Sequence, residues 1–207
     1  MNAHLLRRRR RDLATGLRPR GSRERGAALV EMAVVLPLLI LLVFGMVEFG
    51  LLFREKMTVA SAATSAARTG ATMGNREAAD IRILQALEAG LYDQVDASVI
   101  ISVDIFRAVT ATGVKTGDAN TYVYDPTTTC IWVPCPDPLD PGYVVPSLWN
   151  PVDRDATLDP GGGGLDVLGV EILYFHTAVT GLIPGVEREL TERALVRLEP
   201  NVFGTAP

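Results

Sequence analysis

Histidine and cysteine are scarce in this chain, and their scarcity limits the chemistry that it can perform. Among 207 residues there are two histidines, His4 and His176, and two cysteines. Hydrolytic triads and general acid-base sites mostly use histidine. His176 ends a predicted strand on the face shared with Ile172 and Tyr174, which favours a partly buried structural role. A hydrolase would need His176 to be exposed beside a nucleophile, so the sequence predicts no catalytic residues and no enzyme.

Basic clusters are also absent outside the N-terminal end. Residues 1–26 hold nine arginines against Asp12 and Glu24, whereas the whole chain has a formal net charge of -4 and a pI near 5.2. This balance gives no support to nucleic-acid binding. The glycine run at 161–164 lacks the lysine and the serine or threonine of a phosphate-binding loop. We therefore expect no cofactor.

The most prominent feature that is present is an apolar run from Ala27 to Phe53. As a helix it would be roughly 40 Å long, more than the ~30 Å hydrocarbon core requires. A cleaved secretory signal has an apolar region of only about 7 to 15 residues. Because arginines next to a membrane span stay in the cytoplasm, we expect a single-pass cell-membrane protein. Its leader, residues 1–26, would be cytoplasmic and its acidic remainder extracytoplasmic.

Three residues inside this run are unusual in an apolar segment. Pro37 removes one backbone hydrogen bond and predicts a kink of the kind that is ordinary in membrane helices. Glu48 is expected to be a solvated residue at the outer interface. Glu31 lies where the run begins, and a carboxylate there is costly unless it has a partner or reaches water.

The residues around Glu31 resemble the processing site of type IV prepilin-like proteins. An arginine-rich leader ends in Arg25-Gly26 and is followed by AALVEM and a long apolar helix. This pattern is similar to that of TadE-like pseudopilins of the tight-adherence (Flp pilus) system. The resemblance implies that a prepilin-type peptidase cuts between Gly26 and Ala27. Met32 stands where the major Flp pilins usually have tyrosine, which points to a minor subunit.

The spacing of this site has a physical rationale. Cleavage would create a cationic amine on Ala27 in an apolar layer. Glu31, one helical turn away, could pair with that amine or with the same amine of a neighbouring subunit. Gly26 has no side chain and lets a peptidase approach the backbone. The alternative is a glutamate that simply reaches water at the interface.

Beyond the span, the sequence predicts a helix extension over 54–74 and an exported α+β domain over 75–207. The extension is dominated by small residues, which predicts close helix packing; those at helical spacing are Val59, Ala63, Ala66, Ala67 and Gly70. A second helix is expected from Arg76, capped by Asn75 and ending near Gly90. Its apolar residues repeat every four positions and predict one apolar face: Ala79, Ile83, Leu87 and Leu91.

Alternation with a period of two predicts a small antiparallel sheet of three to four strands. The first strand would place Val99, Ile101, Val103 and Ile105 on one face. A short strand is expected at 121–124, and two longer ones at 168–175 and 190–198. The last strand is followed by Glu199-Pro200, and this ending resembles the closing strand of TadE-like proteins.

Residues 110–164 are rich in proline, glycine, threonine and aspartate and predict a long loop. The only two cysteines, Cys130 and Cys135, lie within it on the exported side, so a disulfide closing a small loop is expected. Nothing nearby supplies the Cys or His ligands of a metal site. Trp132 and Trp149 either anchor the loop to the domain or form an exposed recognition surface, and anchoring is the favoured interpretation.

The resemblance implies a TadE-like minor pseudopilin that takes part in the assembly of a Flp-type adhesive pilus or related secretion filament. Its expected partners are the membrane, other pilin-like subunits, a prepilin-type peptidase and the pilus assembly machinery. The alternative is a membrane-anchored extracytoplasmic domain that binds a ligand or envelope partner through the cysteine loop and never enters a filament.

Overall fold

The computed structural model describes residues 21–92, 94–109, 112–158, 164–181 and 187–200. Within them, two helices precede five strands: α1 (Gly21–Met73), α2 (Ala79–Leu91), β1 (Ile100–Ala108), β2 (Lys115–Tyr124), β3 (Trp132–Val133), β4 (Val167–His176) and β5 (Arg188–Arg197). The predicted α+β class is confirmed, and the sheet has one strand more than the largest number predicted. Most of the predicted leader, His4 included, and nearly all of the glycine run lie outside the described residues.

The chain divides into two compact units, residues 1–43 and 44–207. In its described part, the first unit consists of the N-terminal portion of α1. Large apolar side chains there point outward, with Leu29, Val34 and Leu38 exposed by 71%, 72% and 67%. An 18-residue window has a mean hydropathy of 2.7 and no buried residues. A helix that is apolar all round needs an apolar surrounding, so α1 is a candidate membrane span.

The second unit is a two-layer domain. Its sheet has the order β3-β2-β1-β4-β5 with antiparallel neighbours throughout. The C-terminal part of α1 and the whole of α2 supply one side of a core whose other side is the sheet. On α2 the four residues at the predicted spacing of four are all buried, namely Ala79, Ile83, Leu87 and Leu91.

α1 runs along the sheet antiparallel to β4. Near one end of β4, His176 lies beside Glu55. Near the other end, a side chain added at Gly70 would lie 3.1 Å from Leu168. The two ends of β4 therefore lie beside helix positions about four turns apart.

The start of α2 differs from the prediction. Its first residue is Ala79, and its N-cap is Ala78, which makes no side-chain cap hydrogen bond. The prediction of a helix from Arg76 was therefore three residues too early. Backbone bonds from Arg76 N to Met73 O at 3.2 Å and from Ala79 N to Arg76 O at 2.9 Å continue a turn through this stretch, which delays the regular helix.

The start of β1 also differs. Its register shifts between Ile100 and Ser102, and Val99 belongs to a short 3-10 turn that precedes the strand. An extra residue in one strand shifts the alternation of faces by one position. Ile100 is consequently buried and Ile101 is 36% exposed, so the prediction that Val99 and Ile101 lie on one strand face with Val103 and Ile105 was wrong. From Val103 onward the predicted faces hold.

Candidate functional site

The predicted processing segment lies in the described part of α1. Gly26, Ala27 and Glu31 are helical and exposed. A side chain added at Gly26 would meet no atom within 4 Å, so nothing in the described chain covers this glycine. A free amine on Ala27 exists only after cleavage at Gly26. The pairing of that amine with Glu31 therefore stays a prediction.

The small residues of α1 are confirmed as a close-packing surface. Val59, Ala63, Ala66 and Gly70 are among the buried residues of this stretch. The two helices approach closely at Gly90 of α2, where an added Cβ would lie 2.8 Å from the Cβ and 2.9 Å from the Cα of Ala62. The partner of this surface is thus the chain's own domain.

The opposite face of the same helical stretch is polar and exposed. Its residues are Ser61, Thr64, Ser65, Arg68 and Thr72. The Thr64 hydroxyl donates to Ala60 O at 2.9 Å and the Thr72 hydroxyl donates to Thr69 O at 2.9 Å. Because these hydroxyls bond back to the helix, the face presents methyl groups, small side chains and one guanidinium to its surroundings.

Glu48 is not the solvated boundary residue that the sequence predicted. It is completely buried, and its carboxylate accepts hydrogen bonds from Val179 N at 2.7 Å, Thr180 N at 3.0 Å and the Thr180 hydroxyl at 2.8 Å. These donors belong to the turn that follows β4, which folds back onto α1. A buried carboxylate is tolerated when hydrogen bonds satisfy it. Glu48 thus attaches this turn to the helix.

A second carboxylate of α1 binds the end of β4. Glu55 Oε2 lies 2.5 Å from Nδ1 of His176, whose side chain is 2% exposed. The burial that the sequence favoured for His176 is therefore confirmed. The exposure that a hydrolase would require of this histidine is not found. Glu48 and Glu55 are two turns apart, and together they fix the end of β4 against α1.

The cysteine loop is closed as predicted. Cys130 and Cys135 form a disulfide, and the two-residue strand β3 lies between them. Asp140 lies within 4.8 Å of both sulfurs, but a metal site would need free thiolates, which the disulfide removes.

Both tryptophans anchor the loop, in agreement with the favoured prediction. Trp132 is fully buried and Trp149 is 5% exposed. The Trp132 ring packs edge-on against Tyr124 with centroids 5.5 Å apart, and its indole N–H donates to Glu88 of α2. The loop is therefore attached to α2 as well as to the sheet.

A buried polar cluster around Asp80 was not predicted. Asp80 lies in the first turn of α2, is 1% exposed, and pairs with the fully buried Arg154. Its carboxylate also accepts from Asn120 Nδ2 at 2.8 Å and from the Tyr122 hydroxyl at 2.7 Å. Burial, followed by the negative charge of Asp80, raises the pKa of Tyr122 above its usual value.

The same cluster holds the proline-rich segment that follows the disulfide. The Arg154 guanidinium lies 4.3 Å from the centre of the Trp149 ring. Asn120 Nδ2 donates to Trp149 O at 2.8 Å, and Trp149 N donates back to Asn120 Oδ1 at 3.2 Å. Helix α2, strand β2 and the loop thus meet at one buried charge pair, whose role is structural.

Comparison with known protein families supplies an independent observation. A family described as TadE-like protein matches residues 26–68. The matched segment begins at the glycine of the predicted processing site, contains the apolar run from Ala27 to Phe53 and ends within the small-residue stretch of α1. No curated protein and no solved structure matches the chain. Residues 26–68 are thus TadE-like, as the pattern around Gly26 and Glu31 predicted.

Proposed function

We propose that this chain is a minor pseudopilin of a tight-adherence (Flp-type) system. It would be a single-pass membrane subunit that takes part in assembling an adhesive pilus or related secretion filament. The observation that carries the proposal is the TadE-like match over residues 26–68. That match covers the residues on which processing and membrane insertion depend.

In this proposal the leader fixes the orientation of the chain. Its nine arginines keep the N-terminus in the cytoplasm. The helix α1 spans the bilayer, and the domain that follows it lies outside. A prepilin-type peptidase on the membrane then cuts after Gly26. The new amine of Ala27 and the carboxylate of Glu31 become a charge pair that can form within one subunit or between two.

Outside the membrane, the subunit would meet its neighbours through faces that its own domain leaves uncovered. The polar face of α1 defined above is such a surface, because its side chains are exposed. Small residues on that face permit close approach of another helix. The exported domain holds the other face of α1 rigidly, so the two faces have separate tasks.

Processing is tested by the intact mass of the chain purified from its native membrane. The proposal predicts a mature chain that begins at Ala27. Gly26→Leu should abolish the cut, whereas Gly50→Leu should leave it unchanged. The two glycines make a matched pair, since a side chain added at either would meet no atom within 4 Å. A wild-type chain that keeps its leader would reject processing and favour the anchored binding domain.

Assembly is tested with Glu31→Gln, which keeps the shape of the side chain and removes its charge. We expect the variant to be processed and inserted but to show a several-fold loss of crosslinking to other pilin-like subunits in the membrane. Glu189→Gln is the control, because Glu189 is an exposed glutamate on β5. Equal crosslinking in both variants would contradict a role of Glu31 in assembly.

A further inference from the structure

We propose that the turn after β4, described over residues 177–181, contacts the lipid at the outer surface of the membrane. The exported domain would then touch the bilayer at two points, at the span and at this turn. The inference rests on the single-span arrangement of the proposed function. Its occupant is a lipid surface, and the argument follows from where Glu48 lies along α1.

The outer boundary of the hydrocarbon core falls close to Glu48. A ~30 Å core holds about 20 residues of helix, and the apolar run begins at Ala27. Counting from there places the boundary near position 47, where the uncharged stretch from Met32 to Val47 ends. Glu48 is the first charged residue after that stretch, so it marks the level of the boundary.

The turn after β4 lies at the same level as Glu48. The backbone N–H groups of Val179 and Thr180 are 2.7 Å and 3.0 Å from the Glu48 carboxylate. Because Glu48 is fully buried, the turn covers it. No described side chain of the turn carries a charge, since residues 177–181 are Thr-Ala-Val-Thr-Gly.

The chemistry of the turn suits a lipid interface. A backbone N–H that enters an apolar region must keep a hydrogen-bond partner, and Glu48 provides one for Val179 and one for Thr180. The Val179 side chain is 70% exposed and therefore points away from the domain. Exposed apolar side chains also lie close in sequence to Glu48 on α1 and to the end of β4, namely Phe49 at 49%, Phe53 at 62% and Phe175 at 40%.

The opposite end of the sheet offers a matched comparison. Val114, in the connection between β1 and β2, is 57% exposed and lies next to the start of β2. Ala108, which pairs with Lys115, also pairs with Val167 at the first residue of β4. Ten residues of strand at about 3.3 Å each separate the two ends of β4 by roughly 30 Å. Val114 thus resembles Val179 in type and exposure but lies far from the proposed contact.

The test places a nitroxide label on single added cysteines in the full-length chain, reconstituted in phosphatidylcholine–phosphatidylglycerol vesicles. The variants are Val179→Cys, Val114→Cys and Leu42→Cys, the last within the span. The native cysteines form a disulfide and leave the added thiol as the labelling site. Collision rates are measured with oxygen, which concentrates in lipid, and with a water-soluble nickel chelate. Fluorescence of the buried tryptophans checks that each variant is folded.

We expect the ratio of oxygen to nickel collisions to be several-fold higher at Val179 than at Val114, and highest at Leu42. Adding Glu48→Ala should release the turn and lower the ratio at Val179 toward that at Val114. Equal ratios at Val179 and Val114, found together with a lipid-exposed Leu42, would overturn the inference but uphold the span. A water-exposed Leu42 would instead reject the span itself. Low collision rates with both reagents at Val179 would mean that protein, such as a second copy of the chain, covers the turn, and would also overturn the inference.

Discussion

Two stretches of the same helix, α1, are surrounded by different partners and have different side chains. Residues 27–47 are the stretch that the proposed function places in lipid, called the lipid-facing stretch below. Its exposed side chains are large and aliphatic, as at Leu29 and Leu38. In the domain-facing stretch, residues 59–71, the buried side chains are mostly alanine, as at Ala63 and Ala67. Lipid tails are as apolar as leucine, so bulk costs nothing there, whereas close packing on a domain requires small residues. Side-chain size thus reports what surrounds each stretch.

The two glutamates that interrupt the apolar run show the same contrast. Glu31 is exposed and makes no hydrogen bond or ion pair with the described residues. Glu48 is buried and accepts three hydrogen bonds from the chain's own turn. Position 48 is therefore explained by the fold of the domain. No contact within the described residues explains position 31, which agrees both with a role in assembly and with a glutamate that reaches water at the interface.

Asp80→Leu is expected to have the largest effect on the stability of the domain without changing the lipid-facing stretch. The change leaves Arg154 buried without its carboxylate partner, which costs about 4 kcal/mol of the free energy of unfolding. The domain of residues 44–207 should unfold at a much lower temperature, while the lipid-facing stretch stays helical. Tryptophan fluorescence follows the domain, because Trp132 and Trp149 are both in it, and far-ultraviolet circular dichroism follows the remaining helix.

The control for this change is Asp153→Leu, at an exposed aspartate next to Arg154. It should alter the unfolding temperature only slightly. If Asp80→Leu were as stable as the control, the buried pair would not support the domain. If both signals were lost in one transition, the two stretches would not be independent.

A somewhat smaller effect is expected from Gly90→Val, which tests the close packing of the domain-facing stretch. The added side chain would meet the Cα of Ala62 at 2.9 Å, and a helix backbone cannot easily move away. Overpacking of this kind costs about 3 kcal/mol. Gly50→Val adds the same side chain to α1 where no atom lies within 4 Å, and it should leave the domain's unfolding temperature nearly unchanged. Similar destabilisation by both variants would argue against close packing as the cause.

The elements whose pattern is local were predictable from the sequence. Hydropathy and length gave the span, and the spacing of four between Ile83, Leu87 and Leu91 gave the buried face of α2. Period-two alternation located β4 and β5 within two residues of their ends. The disulfide followed from the presence of only two cysteines, both in a segment expected to be exported.

The contacts that join distant parts of the chain were not predictable. Asp80 and Arg154 are 74 residues apart, and Glu48 and Val179 are 131 apart, so no local pattern links them. β2 is longer than predicted, because Gly117 and Asp118 disfavour a strand and pairing with β1 overrides that preference. The two-residue strand β3 was missed. The exposure of Ile101 follows from the register shift at the start of β1, and the position of that shift is set by the pairing of β1 with β4.

The smallest effect concerns Tyr174, which lies on the buried face of β4 toward the helices. Burial, followed by the charges of Glu192 and Glu55, raises its pKa from 10.0 to about 12. Since the folded state holds this proton more tightly than the unfolded state, the stabilisation is complete below pH 10 and is lost as the pH rises through 12. We expect a loss of roughly 1 kcal/mol over this interval, allowing for solvent screening.

Tyr174→Phe should reduce that alkaline loss at little cost below pH 9, because the Tyr174 hydroxyl has no hydrogen-bond partner among the described residues. The measurement is the unfolding temperature of the domain, followed by tryptophan fluorescence from pH 8 to 12. Tyr92→Phe is the control, at a tyrosine that is 82% exposed. If the Tyr174→Phe and wild-type profiles were parallel, the tyrosine would not be titrating from within the packed layer. Such a result would mean that the layer between β4 and α1 is not tightly packed around Tyr174.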